Sequence, residues 1–311
     1  MNFHGKDIKI FAASANQRVA KQISECLGLP LGKNDVTTFS DGEISVSLFE
    51  SVRGSDCFIV QSTCAPVNNN LMELLIMIDA MKRASAARIT AVMPYFGYAR
   101  QDRKAKARDP ISAKLCADLI TTAGADRVLT MDLHAPQIQG FFNIPVDHLL
   151  GAPVLSSYLK ERIGDNTDDY VIVSPDLGSV TRARNFAARI GCPLAIVDKR
   201  RQKANVCEVM NIIGDVKDKK VILVDDMIDT AGTLCNAAEA IISKGAKEVN
   251  ACATHAVLSG PAIDRIKASP IKQLVLLDTI PLPPEKRLPN ITTLPVAPLF
   301  AEAISGATGR V

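Results

Sequence analysis

The chain has 311 residues, of which 47% are hydrophobic and 22% are charged. This length allows two domains or one large α/β domain, and this composition excludes a disordered chain. The net charge of +3 is nearly balanced, which argues against the long basic surface of a protein that binds duplex nucleic acid. Any anionic ligand is therefore expected to be small and held by local clusters of residues.

Short β-branched segments bounded by turn residues alternate along the chain with longer helical patterns. In chain order, the apolar segments predict strands at 8–11, 57–61, 89–93, 127–131, 171–173, 194–197, 220–224 and 249–253. The segments between them predict helices at 17–27, 70–85, 110–123, 153–163, 179–190 and 233–244. Many strands are apolar at successive positions, as strands buried on both faces of a parallel sheet are. The predicted fold class is α/β, with mainly parallel sheets flanked by helices.

The two halves of the chain repeat one pattern. The segments 57–94 and 220–252 each predict a strand, a polar turn, a helix and a second strand, and they match in pattern rather than in identity. Glycine and proline between 150 and 153 interrupt two periodic stretches. We therefore predict a duplicated domain, with one copy at 1–150 and the other at 151–311.

The cysteines and the apolar segments indicate the cellular location of the protein. The eight cysteines include no CxxC pair and no zinc-binding spacing, so we interpret them as small buried hydrophobic residues. The N-terminal segment lacks the apolar core of a signal peptide. The most apolar predicted helix, at 71–81, is interrupted by Glu73 and Asp79 and is too short to span a bilayer. These features predict a soluble, cytoplasmic protein with reduced thiols and no membrane partner.

The segment 221–233 carries the clearest chemical pattern. Four apolar residues lead to the carboxylates Asp225 and Asp226, and a loop of small and hydroxyl residues then opens a helix. Such a loop faces the ligand crevice of α/β proteins, where backbone N–H groups at a helix N-terminus bind phosphate. Paired carboxylates suit vicinal sugar hydroxyls or a Mg²⁺ shell. This pattern predicts ribose 5-phosphate as the ligand; the alternative is that Asp225 and Asp229 only cap the helix.

Three other segments allow two interpretations each. The turn at 38–43 presents an aromatic ring and acceptors suited to adenine, or it is a plain hairpin turn. Five basic residues at 100–108 form a solvated face or a nucleic-acid patch, but they follow a predicted strand on the ligand side of a sheet. The segment 198–203 is an exposed basic hairpin, or a mobile lid that brings cations over bound phosphates. His134 follows another strand, although a lone histidine is usually structural.

The segment 221–233 resembles the signature of type I phosphoribosyltransferase folds, and the whole chain resembles the ribose-phosphate pyrophosphokinase family. The resemblance implies an enzyme that transfers the pyrophosphoryl group of Mg²⁺-ATP to ribose 5-phosphate, without a nucleic-acid partner. It also implies a homo-oligomer, a hexamer in this family. The further segments that match the family in order and spacing are 38–43, 93–103, 132–135, 137–142 and 173–176.

The resemblance also implies roles for individual residues. Lys199 and Arg201 are implied to stabilise charge on the reacting phosphates, and His134 and Asp176 to be Mg²⁺ ligands. The implied ATP-binding residues are Phe39, Asp41, Glu43, Arg100, Gln101 and His134. The implied ribose 5-phosphate-binding residues are Asp176, Asp225, Asp226, Asp229, Thr230, Ala231, Gly232 and Thr233. We assign no general base.

Two other functions are alternatives to this interpretation. A phosphoribosyltransferase would share the segment 221–233 but would leave the first half unexplained. A non-catalytic regulatory paralogue would be expected to have altered catalytic loops, whereas the residues of those loops are present here.

The chain departs from the family pattern at two places. Ser179 stands where the family usually has a second glycine. The end of the chain, 301–311, lacks the family's regulatory tail, so activation by phosphate and inhibition by ADP are not expected from the sequence.

Overall fold

The computed structural model describes residues 7–200 and 209–307, and these residues form two units. The chain passes from the first unit to the second between Leu150 and Gly151. The second unit differs from the predicted domain of 151–311, because two later stretches belong to the first unit. The first unit consists of the described residues up to Leu150, residues 279–281 and residues 295–307. The second unit consists of the described residues of 151–278 and 282–294.

The first unit is built on a five-stranded parallel sheet. The strands of this unit are β1 (Ile8–Ala12), β2 (Asn34–Thr38), β3 (Ile44–Leu48), β4 (Asp56–Val60), β5 (Arg88–Met93), β6 (Arg127–Met131) and β7 (Val146–Leu149). Its first three helices are α1 (Gln17–Leu27), α2 (Val67–Arg83) and α3 (Ser112–Ala123). The sheet order is β1-β4-β5-β6-β7, and β2 and β3 form a separate antiparallel pair. Every residue of β4 is buried, as expected for a strand covered on both faces.

The second unit contains a seven-stranded sheet. Its strands are β8 (Tyr170–Ser174), β9 (Leu194–Arg200), β10 (Val209–Ile213), β11 (Lys220–Ile228), β12 (Glu248–Ala256), β13 (Ile271–Leu277) and β14 (Ile291–Leu294). Its helices are α4 (Ala152–Ile163), α5 (Val180–Ile190), α6 (Gly232–Ser243) and α7 (Ala262–Ala268). The sheet order is β10-β9-β8-β11-β12-β13-β14, with β9 and β10 antiparallel and the other neighbours parallel.

The two sheets share one topology, which confirms the predicted α/β class. The strands β1, β4, β5, β6 and β7 occupy the same successive sheet positions as β8, β11, β12, β13 and β14. In both units an antiparallel pair, β2–β3 or β9–β10, follows the first strand and its helix. The equivalent strand ends therefore carry equivalent loops, and Arg100, His134 and Asp176 lie on such loops.

The helix that follows the last strand of each repeat packs in the other unit. After β7, α4 packs against α5, β12 and β13 in the second unit. After β14, the final helix α8 (Ala297–Ala307) packs against α1 in the first unit. Two side chains of α8, Phe300 and Ile304, are completely buried. This burial explains why the end of the chain belongs to the first unit.

We expect Phe300→Ala to lower the free energy of unfolding by about 3–5 kcal/mol, because the substitution leaves a cavity where a fully buried ring was. Urea unfolding followed by circular dichroism measures the change. The exposed neighbour Glu302 provides the control, and Glu302→Ala should change stability by less than about 0.5 kcal/mol. Equal stabilities of the two variants would contradict the packing of α8.

The cysteines confirm the prediction that most of them act as buried hydrophobic residues. Within the described residues all the cysteines carry free thiols, and Cys26 alone among these is exposed. Burial raises the pKa of Cys57 to about 12 and that of Cys116 to about 11. No helix in the described part of the chain has both the length and the apolar character needed to cross a bilayer.

Candidate active site

The carboxylates predicted to bind ribose lie inside β11 rather than after it. The predicted strand ends at Val224, but β11 continues to Ile228 because β12 remains paired with it as far as Ala256. On its other edge, β11 pairs with β8 only as far as Leu223. The part of β11 that begins at Asp225 therefore faces the loop after β8 instead of a neighbouring strand.

Asp225 is held in a half-buried and electrostatically unfavourable position. Its Oδ1 accepts hydrogen bonds from the Ser179 hydroxyl at 2.8 Å and from the Asp226 backbone N–H at 2.8 Å. Burial, together with the neighbouring Asp226 carboxylate, raises the pKa of Asp225 to about 7. Asp226 itself is only 5% exposed. The pair thus concentrates negative charge at one edge of the sheet, with one carboxyl group that titrates near neutral pH.

Asp176 lies on the turn that follows β8. Its Oδ1 accepts the Ser179 backbone N–H at 2.9 Å, and its carbonyl oxygen accepts the Ser174 hydroxyl at 2.7 Å. Ser179 therefore contacts both Asp176 and Asp225. The structure brings three predicted site residues, Asp176, Asp225 and Asp226, to the same edge of the second sheet.

The loop between β11 and α6 is held by residues that follow β12. The Asp229 side chain accepts a hydrogen bond from the Ser259 hydroxyl, and the Ser259 backbone N–H donates to the Asp229 carbonyl oxygen at 2.9 Å. Arg265 Nη1 donates to the Thr230 carbonyl oxygen at 2.9 Å. Ser259 and Arg265 were not predicted as site residues, because no sequence pattern relates them to a loop some 30 residues earlier.

The start of α6 is open to a ligand. Ala231 occupies the N-cap position with φ of +58°, and this residue makes no side-chain hydrogen bond that caps the helix. The N-cap position belongs to Ala231 and not to Asp225 or Asp229, which disagrees with the alternative that these aspartates only cap α6. The exposed Thr230 and Thr233 flank this helix end. Its backbone N–H groups lack intrahelical partners and therefore suit a phosphate.

In the first unit, the residues 39–43 form the turn of the β2–β3 hairpin. The Phe39 N–H donates to the Glu43 carbonyl oxygen at 2.8 Å, and the Glu43 N–H donates to Asp41 Oδ1 at 3.1 Å. Gly42 has φ of +96°, which glycine adopts without strain. The plain hairpin interpretation thus describes the backbone correctly. The turn also leaves the Phe39 side chain 57% exposed, so the predicted contact with adenine stays a prediction.

Arg100 and Gln101 are exposed on the loop after β5. The loop is fixed by Gly97, whose N–H donates to Thr63 Oγ1 at 2.7 Å. A Cβ atom at Gly97 would lie 2.3 Å from the Thr63 carbonyl oxygen. Gln101 Oε1 accepts the Ser112 hydroxyl at 2.6 Å, which orients its amide.

We expect Gly97→Ala to raise KM for ATP at least about tenfold, since the added methyl must displace the loop that carries Arg100, and a shift near 1 Å has large catalytic effects. Steady-state kinetics with varied ATP measures this change. Gly306→Ala serves as the control, because a Cβ atom there meets nothing within 4 Å. Wild-type KM in Gly97→Ala would contradict the proposed role of the loop.

His134 is exposed on the loop after β6. The turn before it is unusual, since Asp132 has φ of +39°, a conformation that non-glycine residues seldom adopt. The Leu133 N–H donates to Nε2 of His148 at 2.9 Å. Sequence reasoning gave no role to His148, which lies on β7 and binds the backbone beside His134.

A side-chain hydrogen bond connects this loop with the previous one. Gln137 Nε2 donates to Asp102 Oδ2 at 2.9 Å. Gln137 lies on the short 3₁₀ segment Pro136–Phe141. The loops after β5 and β6, two neighbouring strands, are thereby joined, and they carry Arg100, Gln101 and His134.

The structure describes the predicted transition-state residues only in part. Lys199 lies on β9 and pairs with Met210 of β10. The strand is three residues longer than predicted, because β10 pairs with it. The pairing of β9 with β10 leaves both interpretations of the segment 198–203 open, since residues 201–203 lie outside the described residues. Arg201 lies outside the described residues, so the lid and the catalytic roles of both residues stay predictions.

The candidate magnesium ligands are one carboxylate, Asp176, and one imidazole, His134. Within the described residues, no three histidine, cysteine, aspartate or glutamate side chains gather as a metal cage. Mg²⁺ bound with a nucleotide needs only one or two protein ligands, because phosphate oxygens and waters complete its shell. Asp176 supplies a half-buried carboxylate and His134 an exposed imidazole. Each of these side chains by itself is chemically suited to be a single protein ligand of a magnesium ion carried by ATP.

Comparison with known proteins connects both units with one class. Residues 147–280 match the family model described as a phosphoribosyl transferase domain. Residues 8–124 match the model of the N-terminal domain of ribose phosphate pyrophosphokinase. The fold and site thus define a protein built from phosphoribosyltransferase-type domains.

Individual relatives cover nearly the whole chain. A ribose-phosphate pyrophosphokinase of Caldanaerobacter subterraneus is 69% identical, covering 96% of this chain and 93% of the relative. The one from Bacillus subtilis is 58% identical, with the same coverage of 96% and 93%. A crystal structure of phosphoribosylpyrophosphate synthetase from Mycobacterium smegmatis has a TM-score of 0.93 at 45% identity, covering 98% of this chain and all of that one. The chain belongs to the ribose-phosphate pyrophosphokinase family of enzymes.

Proposed function

We propose that this enzyme transfers the pyrophosphoryl group of ATP to the anomeric hydroxyl of ribose 5-phosphate, giving phosphoribosyl pyrophosphate and AMP. One observation carries the proposal beyond family membership. On one edge of the second sheet, the carboxylates Asp176, Asp225 and Asp226 lie close together, on the strand and turn that adjoin the loop leading into α6. Carboxylates accept hydrogen bonds from sugar hydroxyls, and the N-terminus of a helix binds phosphate. Together these groups are complementary to a sugar phosphate.

The sugar phosphate is proposed to bind at this edge with its two ends in different surroundings. Its 5-phosphate binds the backbone N–H groups and hydroxyls of the loop 229–233, near the positive end of α6. Its ring hydroxyls donate to Asp225 and Asp226. Asp176 contributes sugar or metal contacts from the neighbouring turn. The hydrogen bonds from Ser259 and Arg265 keep the loop in shape before the substrate arrives.

The nucleotide is proposed to bind the loops of the first unit. Phe39 offers an exposed ring for stacking on adenine, and Asp41 and Glu43 offer acceptors for its amino group. Arg100 suits the polyphosphate because a guanidinium binds phosphate oxygens through two N–H groups. Gln101 and His134 complete the predicted set.

Magnesium is proposed to enter with ATP and to contact His134 and Asp176. When bound, the ion neutralises phosphate charge and so makes the β-phosphorus more open to attack. The residues of the chain align the two substrates and exclude competing positions of the sugar.

The reaction forms a bond between the anomeric oxygen and the β-phosphorus. The bond from that phosphorus to the oxygen of the α-phosphate breaks, and AMP leaves in line with the attacking oxygen. Such transfers need alignment and charge stabilisation rather than covalent catalysis. Lys199 and Arg201 are proposed to supply positive charge as the transition state forms. The proton of the anomeric hydroxyl passes to a group that we do not assign.

The alternatives are not favoured. A phosphoribosyltransferase would leave the match of residues 8–124 unexplained. A non-catalytic paralogue would not be expected to retain the carboxylate arrangement around Asp225. The proposal includes a cytoplasmic homo-oligomer, a hexamer, and this part is supported by the resemblance to the family.

ATP labelled in its β-phosphorus distinguishes the possible transfers. We expect the label to appear in the sugar product, with unlabelled AMP as the second product. Label found in ADP would mean transfer of the γ-phosphoryl group alone and would exclude the proposed reaction. The experiment uses the full chain with Mg²⁺ and ribose 5-phosphate.

A further inference from the structure

Ser179 lies between two of the proposed substrate-binding carboxylates. It is only 9% exposed, and it begins α5 after the turn that carries Asp176. Its backbone N–H donates to Asp176 Oδ1 at 2.9 Å, and its hydroxyl donates to Asp225 Oδ1 at 2.8 Å. One residue thus binds both the loop after β8 and the strand β11.

The two donors that reach Asp225 fix its carboxylate. The Ser179 hydroxyl and the Asp226 N–H both donate to Oδ1. A carboxylate oxygen has two lone-pair directions, so these two hydrogen bonds use both of them. Rotation of the carboxylate would break both bonds, and its orientation is therefore set before a sugar arrives.

The hydrogen bond also opposes the effect of burial. Asp225 is destabilised as an anion by burial and by Asp226, whereas the Ser179 hydrogen bond favours the anion. Hydrogen bonds to charged groups are stronger than those between neutral groups. Asp176 contributes nothing to this bond directly, since it binds the backbone of Ser179 rather than its hydroxyl.

We propose that the Ser179 hydroxyl is a positioning group that holds the Asp225 carboxylate in the orientation that accepts the hydroxyls of ribose 5-phosphate. The inference rests on the proposed function and deepens it, since it names the residue that prepares the sugar site. A glycine at this position would retain the N–H bond to Asp176 and lose only the bond to Asp225.

The substitution Ser179→Ala tests this role, because alanine also keeps the backbone N–H. We expect KM for ribose 5-phosphate to rise about tenfold, the effect of one hydrogen bond to a charged group. KM for ATP should stay within about twofold of the wild-type value. Ser179→Thr, which retains a hydroxyl, should recover most of the lost affinity. Ser156→Ala is the control, since that buried serine donates to a backbone carbonyl in α4.

A double-mutant cycle shows whether Ser179 acts through Asp225. Calorimetric titration with ribose 5-phosphate should show that Ser179→Ala weakens binding in the wild type but not in Asp225→Ala, because the two residues then act as one unit. Equal losses in both backgrounds would overturn the inference, as would an unchanged KM in Ser179→Ala.

The outcome for Asp225 alone separates the inference from the function. If Asp225→Ala binds ribose 5-phosphate like the wild type, both the inference and the role of Asp225 are overturned. The proposed function would still stand, provided that the wild-type enzyme forms AMP only with the sugar present.

Discussion

Replacing Lys199 with alanine is expected to lower kcat by about 10²–10³-fold, as the loss of one group that stabilises developing charge typically does. KM for ribose 5-phosphate should change little, because a contact made only in the transition state does not contribute to binding of the ground state. Lys199 lies near the end of β9, directly before the segment that carries Arg201. Steady-state kinetics with both substrates varied in turn measures the two parameters.

Lys244→Ala is the matched control for this prediction. Lys244 is an exposed lysine of the same unit, at the C-terminal end of α6, so its removal changes the net charge equally. Its kcat should equal that of the wild type. A Lys199→Ala enzyme with undiminished kcat would remove Lys199 from the mechanism.

A second large effect is expected from the titration of Asp225, in the pH dependence of kcat/KM. Its pKa is raised from 3.8 to about 7, mainly by burial and then by the charge of Asp226. The ionised carboxylate accepts hydroxyl groups, whereas protonation turns one oxygen into a donor. We therefore expect kcat/KM for ribose 5-phosphate to be constant above pH 7 and to fall as pH drops below 7, by about tenfold per unit.

Asp225→Asn tests the origin of this dependence. The variant should have a low kcat/KM throughout, and the fall below pH 7 should be absent because the amide does not titrate. Asp165→Asn, at an exposed carboxylate before β8, should keep the wild-type profile. A profile in Asp225→Asn that still falls below pH 7 would assign the titration to another group.

Stability measurements distinguish a loss of activity caused by the missing carboxylate from a loss caused by unfolding. A folded-state pKa above the unfolded value means that the native state loses stability as pH rises from about 4 to about 7. Above pH 7 this loss is complete. Asp225→Asn removes it, so the variant should have a higher Tm than the wild type at pH 8. Low activity together with a higher Tm would show that Asp225 serves binding at the expense of stability.

The sequence predicted the elements whose apolar patterns are continuous. The helix at 17–27 and the strand at 127–131 match α1 and β6 to the residue. The pair β2 and β3 was not predicted as strands, because its residues are largely polar and half-exposed. The placement of α8 in the first unit could not be predicted either, since its periodicity shows an apolar face but not the surface that covers it.

The sequence predicted which residues belong to the candidate site, but not the contacts between them. The carboxylates and the loop before α6 were recognised from local sequence, although the carboxylates lie inside β11 and not after its end. The bond from Ser179 to Asp225 joins residues 46 positions apart. The raised pKa of Asp225 depends on burial that only the folded chain creates. Comparison with the family pattern identified Ser179 as a departure, but the sequence did not indicate which residue its hydroxyl binds.

The release of AMP from Mg²⁺-ATP, with and without ribose 5-phosphate, tests the central claim most directly. We predict that AMP forms only when the sugar is present, in amounts equal to those of phosphoribosyl pyrophosphate. Repeating the assay at several phosphate concentrations shows whether the end of the chain retains regulation. Formation of ADP in place of AMP, or AMP at the same rate without the sugar, would contradict pyrophosphoryl transfer.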